Sequence, residues 1–201
     1  MKLRAITAAL ALACSGGVHA ATTLTGHATA DNAFLAYVST SDAVLGTLIG
    51  SGDNWGLTYG FSTTLSANVD YYLHIVAKDA GRPEAFIGDF VLSSTDYSFS
   101  NGAQTLSTGL THWKATDGIW GGWSAPTGTP VDRGVNGSGP WGPRINIAAT
   151  THWIWSANYG TGTTYFSTKI VSNVPEPETY AMMLAGLGLL GAAARRKRTA
   201  A

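Results

Sequence analysis

Cysteine is almost absent from this chain, which has a single one, Cys14, among its 201 residues. One thiol cannot form an intrachain disulfide, so the fold must be stabilised by its hydrophobic core alone. Cys14 also lies within the first twenty residues, and a chain that starts at Ala21 has no thiol at all. Disulfide-linked folds and cysteine nucleophiles are therefore excluded for that shorter chain.

Charged residues are scarce, and the middle of the chain has no basic excess. The whole sequence has a net charge of zero, but residues 21–174 contain six lysines and arginines against ten aspartates and glutamates, a net charge of −4. Nucleic acid binding requires a basic stripe or patch. This composition argues against a nucleic acid partner.

Motifs that carry catalysis are missing as well. The sequence has no Gly-x-Ser-x-Gly elbow, no His-Glu-x-x-His and no phosphate-binding loop. Asp79, Glu84 and Asp89 are close enough in sequence to suggest the two carboxylates of a glycosidase, but a turn between strands explains Asp79 and Glu84 without chemistry. We predict a non-enzymatic protein and keep a secreted glycan hydrolase as an alternative.

The N terminus has the three regions of a secretory signal peptide. Two cations precede an apolar run over residues 5–13, and Val18-His19-Ala20 places small or short residues before Ala21. This pattern predicts cleavage between Ala20 and Ala21 by signal peptidase after passage through the secretion translocase. The alternatives are a buried helix, which would need more polar positions, and lipoprotein cleavage before Cys14, where the preceding residues fit poorly.

The C terminus has a second targeting pattern. Residues 181–194 are fourteen consecutive apolar residues, which would span about 21 Å as a helix, less than the hydrocarbon core of about 30 Å. Four cations follow them almost at the end of the chain, and long basic side chains can reach from a short span to the cytoplasmic face. We predict a transmembrane helix over about residues 179–194 with its C terminus inside. The basic residues are Arg195, Arg196, Lys197 and Arg198.

Just before the apolar segment, residues 174–178 read Val174-Pro175-Glu176-Pro177-Glu178. This order of motif, glycine-rich apolar segment and basic end resembles the PEP-CTERM sorting tails of Gram-negative bacteria. The resemblance implies that an exosortase-type membrane protease recognises Pro175-Glu176-Pro177 and removes the tail. It also implies that the protein resides transiently in the inner membrane and then at the cell surface or in the extracellular matrix. The paired prolines agree with this, because they keep the motif extended and accessible.

The residues between the two ends have no helical apolar stripe that lasts three turns, and short alternating segments separated by turn residues predict strands. About eight to ten strands at this spacing predict an antiparallel β-sandwich. We divide the chain into a signal peptide (1–20), a β-sandwich domain (21–172) and a sorting tail (173–201). The predicted strands are Thr23–Ala28, Phe34–Ser39, Val44–Ile49, Gly56–Ser62, Tyr71–Ala77, Phe86–Leu92, Ile145–Ala148, Thr151–Trp155 and Thr164–Val171.

A second resemblance refines this fold. The segments 29–38, 52–55, 72–79 and 86–90 together resemble the galactose-binding-like jelly-roll domains. Ser39-Thr40 departs from that pattern, which usually has Asn-Gly at this place. The resemblance implies a jelly-roll-like sandwich, an architecture that is found both in carbohydrate binders and in inert adaptor modules.

Tryptophan is the most unusual component of the middle region. Trp120, Trp123 and Trp141 lie in a glycine- and proline-rich stretch, and indole rings stack on sugar rings when loops display them. We name these three as candidate glycan-binding residues, with packing under their own loop as the alternative. The other four lie in or beside predicted strands and are expected in the core: Trp55, Trp113, Trp153 and Trp155.

Metal ligands are present without a metal-binding pattern. Oxygen ligands that would suit calcium occur in turns, at Asp31, Asn32, Asp53 and Asn54, but no EF-hand or repeat organises them. The histidines show no zinc spacing: His27, His74, His112 and His152. His74 lies in an apolar strand, where a structural role is expected. We predict no metal site and no cofactor, although structural calcium would be compatible with these oxygens.

Together these patterns predict an exported surface or matrix protein that associates with exopolysaccharide through a jelly-roll-like domain. A structural protein of an extracellular layer without glycan affinity is the alternative from another class.

Overall fold

The computed structural model describes residues 21–158, 160, 162–173, 182–191 and 195. The predicted signal peptide with Ala20, the motif Val174-Pro175-Glu176-Pro177, and Arg196, Lys197 and Arg198 lie outside the described residues. Ala21 and Arg195 lie within them, and both are exposed.

The regular secondary structure of the described residues between 21 and 173 is strand. Thr22 begins the first strand and Ser172 ends the last. The strands within the described residues are β1 (Thr22–Asp31), β2 (Ala33–Ser39), β3 (Thr47–Gly52), β4 (Tyr59–Leu65), β5 (Tyr71–Lys78), β6 (Ala85–Leu92), β7 (Tyr97–Phe99), β8 (Thr105–Ser107), β9 (Lys114–Asp117), β10 (Val131–Val135), β11 (His152–Trp155) and β12 (Thr163–Ser172).

These strands form two antiparallel sheets. The first sheet has the order β10-β11-β6-β1-β4, with β8 also paired to β6. The second sheet has the order β3-β2-β5-β12-β7, with β9 also paired to β12. Side chains from both sheets meet in one hydrophobic core, so the predicted mainly-β sandwich is confirmed. The jelly-roll resemblance stays a prediction.

The sandwich core follows from alternation along each strand. In β2 the residues Phe34, Ala36 and Val38 are buried, and Leu35 and Tyr37, which lie between them, are half-buried. Phe34 lies about 6 Å from the ring centroids of both Phe61 and Phe86, which belong to the opposite sheet. Burial of these side chains stabilises the domain without any disulfide.

A smaller second core lies on the other side of the first sheet. It consists of Ala85, Ile87, Trp141, Ile147 and Trp153. The Trp141 and Trp153 rings stack with centroids 4.7 Å apart and an interplanar angle of 26°. The long segment between β10 and β11 thus packs onto the sheet.

The predicted strand Ile145–Ala148 is wrong, because these residues form turns. Asn146 has a φ of 60°, which an extended strand does not allow. The Asn136 side-chain amide donates to the carbonyl oxygens of Ile147 (2.8 Å) and Ala148 (3.3 Å), and the Ala148 N–H donates to Asp89. The backbone groups that a neighbouring strand would use are therefore bonded to side chains.

Other differences concern strand bounds. The predicted strand Val44–Ile49 is displaced to Thr47–Gly52, and Gly56–Ser62 is displaced to Tyr59–Leu65. Four short strands were not predicted, namely β7, β8, β9 and β10.

Residues 182–191 are helical. Within the described ranges, no helical segment has the length and hydrophobicity that crossing a bilayer requires. The predicted transmembrane helix over residues 179–194 includes residues outside those ranges, and it stays a prediction.

Candidate functional site

The face of the second sheet that points away from the core carries most of the polar and aromatic side chains of its central strands. In β5, Leu73, Ile75 and Ala77 belong to the core, so the alternate residues point to the opposite face. The pairing register places Tyr37, His74, Ser167 and Lys114 side by side on β2, β5, β12 and β9. We call this surface the outer face.

A loop over residues 118–124, here called the Trp loop, lies on the outer face. The Trp123 ring centroid lies 4.2 Å from that of His74 and 5.2 Å from that of Tyr165. The Tyr165 hydroxyl donates to the Ile119 carbonyl (2.7 Å) and accepts from the Ile119 N–H (2.9 Å). Two aromatic contacts and two hydrogen bonds therefore fix the loop on β5 and β12.

Glycine is required where this loop touches the sheet. A Cβ atom added to Gly118 would lie 2.2 Å from Cζ of the Tyr165 ring, and one added to Gly122 would lie 2.7 Å from the Tyr165 hydroxyl oxygen. The loop backbone lies directly on the tyrosine ring, and only glycine permits that approach.

Asp42 connects three elements beneath the loop. Its backbone carbonyl accepts from the Trp123 indole N–H (2.9 Å), and its Oδ1 accepts from the Ser167 hydroxyl (2.5 Å). The same Oδ1 lies 3.1 Å from Nε2 of His74, whose Nδ1 lies 3.1 Å from the Leu45 carbonyl oxygen. The loop between β2 and β3 is thereby attached to the sheet and to the Trp loop.

His74 is fully buried between these groups. Burial disfavours the charged ring and lowers the pKa of His74 below its ordinary value of 6.5. The Leu45 carbonyl and the Asp42 carboxylate favour the charged ring, but their effect on the pKa is smaller. The predicted structural role of His74 agrees with this position under Trp123.

The exposed part of the Trp loop is its apolar tip. The Trp120 side chain is 41% exposed and Ile119 is 74% exposed. Nζ of Lys78 lies 5.5 Å from the Trp120 ring centroid. Beside the tip, an open cleft of about 470 Å³ is lined in part by Asp117, Ile119 and Trp123. We call Trp120, Ile119 and this cleft the Trp platform.

The comparisons with known proteins concern the other end of the chain. Residues 173–198 match the family model of the PEP-CTERM protein-sorting motif. The chain carries a PEP-CTERM sorting motif. The motif implies an exosortase as processing partner, and it implies export with membrane-associated processing toward the cell surface. No curated protein and no solved structure matches the chain.

The sorting motif begins where the folded domain ends. The Asn173 N–H donates to the Asp96 carbonyl (2.7 Å), and its side-chain amide donates to the Thr95 carbonyl (2.9 Å). Its Oδ1 accepts from the Ser98 hydroxyl (3.0 Å). Asn173 is therefore fixed to the domain, and the PEP-CTERM match starts at that same residue.

The structure separates the three tryptophans that were predicted to bind glycan. Trp120 and Trp123 lie together on the Trp loop, but Trp141 is 4% exposed and stacks on Trp153 in the second core. Its indole N–H donates to Oδ2 of Asp31 (2.9 Å). Trp141 is a core residue with no free ring face, so the candidate glycan site is limited to Trp120 and Trp123.

The prediction for the remaining tryptophans is confirmed for three of them, because Trp113, Trp153 and Trp155 are buried. It is wrong for Trp55, which is 40% exposed in the loop between β3 and β4. The Arg144 guanidinium lies 5.6 Å from the Trp55 ring centroid and donates to the Trp55 carbonyl (2.9 Å). A cation contact on the surface thus replaces the expected core packing.

The oxygen ligands considered for calcium accept hydrogen bonds from the protein itself. Asp53 accepts from the Tyr59 hydroxyl and Asn54 from the Gly56 N–H, while Asp31 accepts from Trp141 and Asn32 from the Ala80 N–H. In the described part of the chain, no group of three or more histidine, aspartate and glutamate side chains is placed to hold a metal ion.

The other histidines lie apart from one another. His27 is on β1, where it pairs with Gly60 and Asp89. His112 is exposed, with a φ of 66°, and Nδ1 of His152 contacts Asp132 Oδ1 at 3.1 Å.

The three carboxylates considered for a glycosidase have structural partners. Asp89 accepts from the Thr151 hydroxyl (2.7 Å) and the Ala148 N–H (2.6 Å), which fixes the turn before β11. Glu84 is buried and accepts from the Gly160 N–H (3.0 Å). Burial raises the pKa of Asp79, and the neighbouring Glu84 raises it further.

Several residues of the outer face were not singled out from the sequence. Tyr165, Ser167 and Lys78 follow the alternation of β12 and β5, so their common face could have been deduced once those strands were paired. Asp42 gave no signal, because its partners are 32, 81 and 125 residues away along the chain.

Proposed function

We propose that the chain is a non-enzymatic surface or matrix protein that binds polysaccharide through the Trp platform. It is exported behind a signal peptide cleaved between Ala20 and Ala21, and it is released or attached after exosortase removes the tail. The ligand is an exopolysaccharide at the surface of a Gram-negative cell.

The observation that carries the binding proposal is the exposed Trp120 on a loop that the sheet holds rigidly. Trp120 is 41% exposed, and its indole offers a flat apolar surface to the C–H groups of a sugar ring. Trp123 and Tyr165 fix the loop beneath it, so little conformational entropy is lost when a ligand binds. The adjoining cleft, lined in part by Asp117 and Ser124, offers polar groups for sugar hydroxyls.

Affinity electrophoresis of the full chain through gels containing dissolved polysaccharides tests this proposal. We expect Trp120→Ala to raise the Kd obtained from the retardation by about 2- to 13-fold. This range assumes that stacking on a sugar contributes as much as an aromatic pair, about 0.5 to 1.5 kcal/mol. Trp55→Ala is the matched control, because Trp55 is exposed to the same degree and also lies beside a cation. Equal retardation of the wild type and Trp120→Ala across the panel would remove glycan binding from the Trp platform.

A structural role in an extracellular layer is the second candidate. It is favoured by the edge strand β3 and the loop before it, where Leu48 is 52% exposed and Val44 is 59% exposed. Exposed apolar side chains on an edge strand suit association between copies. Sedimentation equilibrium distinguishes the two candidates, because this one requires a concentration-dependent mass in the absence of glycan.

A further inference from the structure

The lysines of the domain are segregated on one surface. Residues 21–173 contain three lysines, Lys78, Lys114 and Lys169, in a region of net charge −4. Lys78 and Lys169 point to the outer face by the alternation of β5 and β12, and Lys114 does so because it pairs with Ser167. All three ammonium groups therefore belong to the face that carries the Trp platform.

Two of these lysines line a cavity. It has a volume of about 410 Å³ and lies on the outer face beside Asp42, with Lys114 and Lys169 in its lining. Tyr72 and Ser167 also line it, as does His112. The lining thus combines an aromatic ring, a hydroxyl and basic groups, as sugar sites do.

The acidic groups near this cavity are already engaged. Asp42 accepts from Ser167 and contacts His74, and Asp70 forms an ion pair with Lys169 at 2.7 Å. Lys114 is exposed, and within the described ranges no carboxylate lies within ion-pairing distance of it. Of the two lysines in the lining, Lys114 therefore carries the positive charge that is available to a ligand anion, in a cavity that also contains the Asp42 carboxylate.

His112 is held in place beside this charge. Its φ of 66° is in the left-handed region, which few residues other than glycine adopt. The Ser100 hydroxyl, itself in contact with Thr168, donates to the His112 carbonyl (3.1 Å) and fixes this conformation. Unfavourable backbone conformations that are held by surrounding contacts concentrate at binding sites.

From these observations we infer that the cavity binds the carboxylate of an acidic sugar, with Lys114 as the principal anion partner. The inference rests on the proposed polysaccharide function and narrows it to polymers that contain uronic acid residues. The Lys114 ammonium donates to the ligand carboxylate, and Tyr72 offers a ring for the sugar face.

Binding of the full chain, in detergent, to paired polymers tests the inference. The probes are polygalacturonate and alginate, each also prepared as its carboxyl-reduced neutral form. We expect affinity for at least one acidic polymer to exceed that for its reduced form by about tenfold, and to fall as salt is raised because exposed charges are screened. Lys114→Gln is expected to lower affinity for the acidic polymer about fivefold and leave that for the reduced form unchanged.

Lys114→Arg is the control variant, since it keeps the positive charge and should retain most of the affinity. Lys114 is exposed, so an unchanged unfolding midpoint is expected for both variants. Equal binding of acidic and reduced polymers would overturn the inference while leaving the proposed function in place. Acidic binding that Lys114→Gln does not alter would place the anion site elsewhere and equally refute it. If the chain binds none of these polymers, and Trp120→Ala also has no effect on the binding of any glycan, both proposals are refuted.

Discussion

Asp42 is the residue whose removal should most weaken the support of the Trp loop. In Asp42→Ala the hydroxyl of Ser167, which is 3% exposed, loses its acceptor, and Nε2 of the buried His74 loses its contact with the carboxylate. The Asp42 backbone carbonyl still accepts from Trp123, so the loop is loosened rather than detached.

The size of the effect follows from these two contacts. A hydrogen bond to a charged group contributes about 1.5 to 3 kcal/mol, and a buried polar group left without a partner costs about 1 to 3 kcal/mol. The Asp42 side chain is 24% exposed, so water can replace part of the loss. We expect a decrease of about 2 to 3 kcal/mol in the free energy of unfolding, or about 4 to 12 °C in Tm for a domain of this size.

Urea unfolding of the full chain, followed by tryptophan fluorescence, measures this change. Asp53→Ala is the matched control, because Asp53 is exposed and bonds only to the Tyr59 hydroxyl among its described contacts. It should change the free energy of unfolding by less than about 0.5 kcal/mol. If Asp42→Ala were as stable as the control, the assignment of Asp42 as the connection between loop and sheet would be refuted.

The remaining predictions concern pH and processing. Because the folded state lowers the pKa of His74, the unfolded state binds more protons, and stability should decrease as pH falls below about 6.5. Urea midpoints between pH 7.5 and 5.5 should show this slope in the wild type and a smaller one in His74→Gln; identical slopes would contradict it. For processing, intact mass spectrometry after expression with an exosortase should find a species that begins at Ala21 and ends within residues 174–178. A secreted species that retains Arg195 would contradict tail removal.

The long strands were predictable from the sequence because each contains enough residues to establish its alternation. β2, β5 and β12 were located to within a residue or two at each end. A strand such as β7, with three residues, contains too few positions to show a period of two. Ile145–Ala148 failed for another reason, because Asn136, nine residues earlier, binds the backbone groups of that segment.

The candidate site was only partly predictable. The loop position and aromatic character of Trp120 indicated an exposed ring, but Trp141 lies in a stretch of the same composition and is buried. The difference depends on Trp153, which offers a stacking partner across the second core, and nothing local to Trp141 encodes that contact. The basic cavity depends likewise on the pairing of β9 with β12, which brings Lys114 beside Ser167 from 53 residues away.

If the predicted transmembrane helix forms, the anchoring of Asn173 limits how far the domain can move from the membrane before the tail is cut. Eight residues separate Asn173 from Met182, the first described helical residue, and even a fully extended chain covers about 32 Å over that interval. A domain of about 150 residues is roughly 38 Å across. The connecting segment would therefore be shorter than the domain, and Asn173 would stay close to the bilayer. Cutting the tail would then do more than free the protein, because it would also let a large polymer approach the part of the domain next to Asn173.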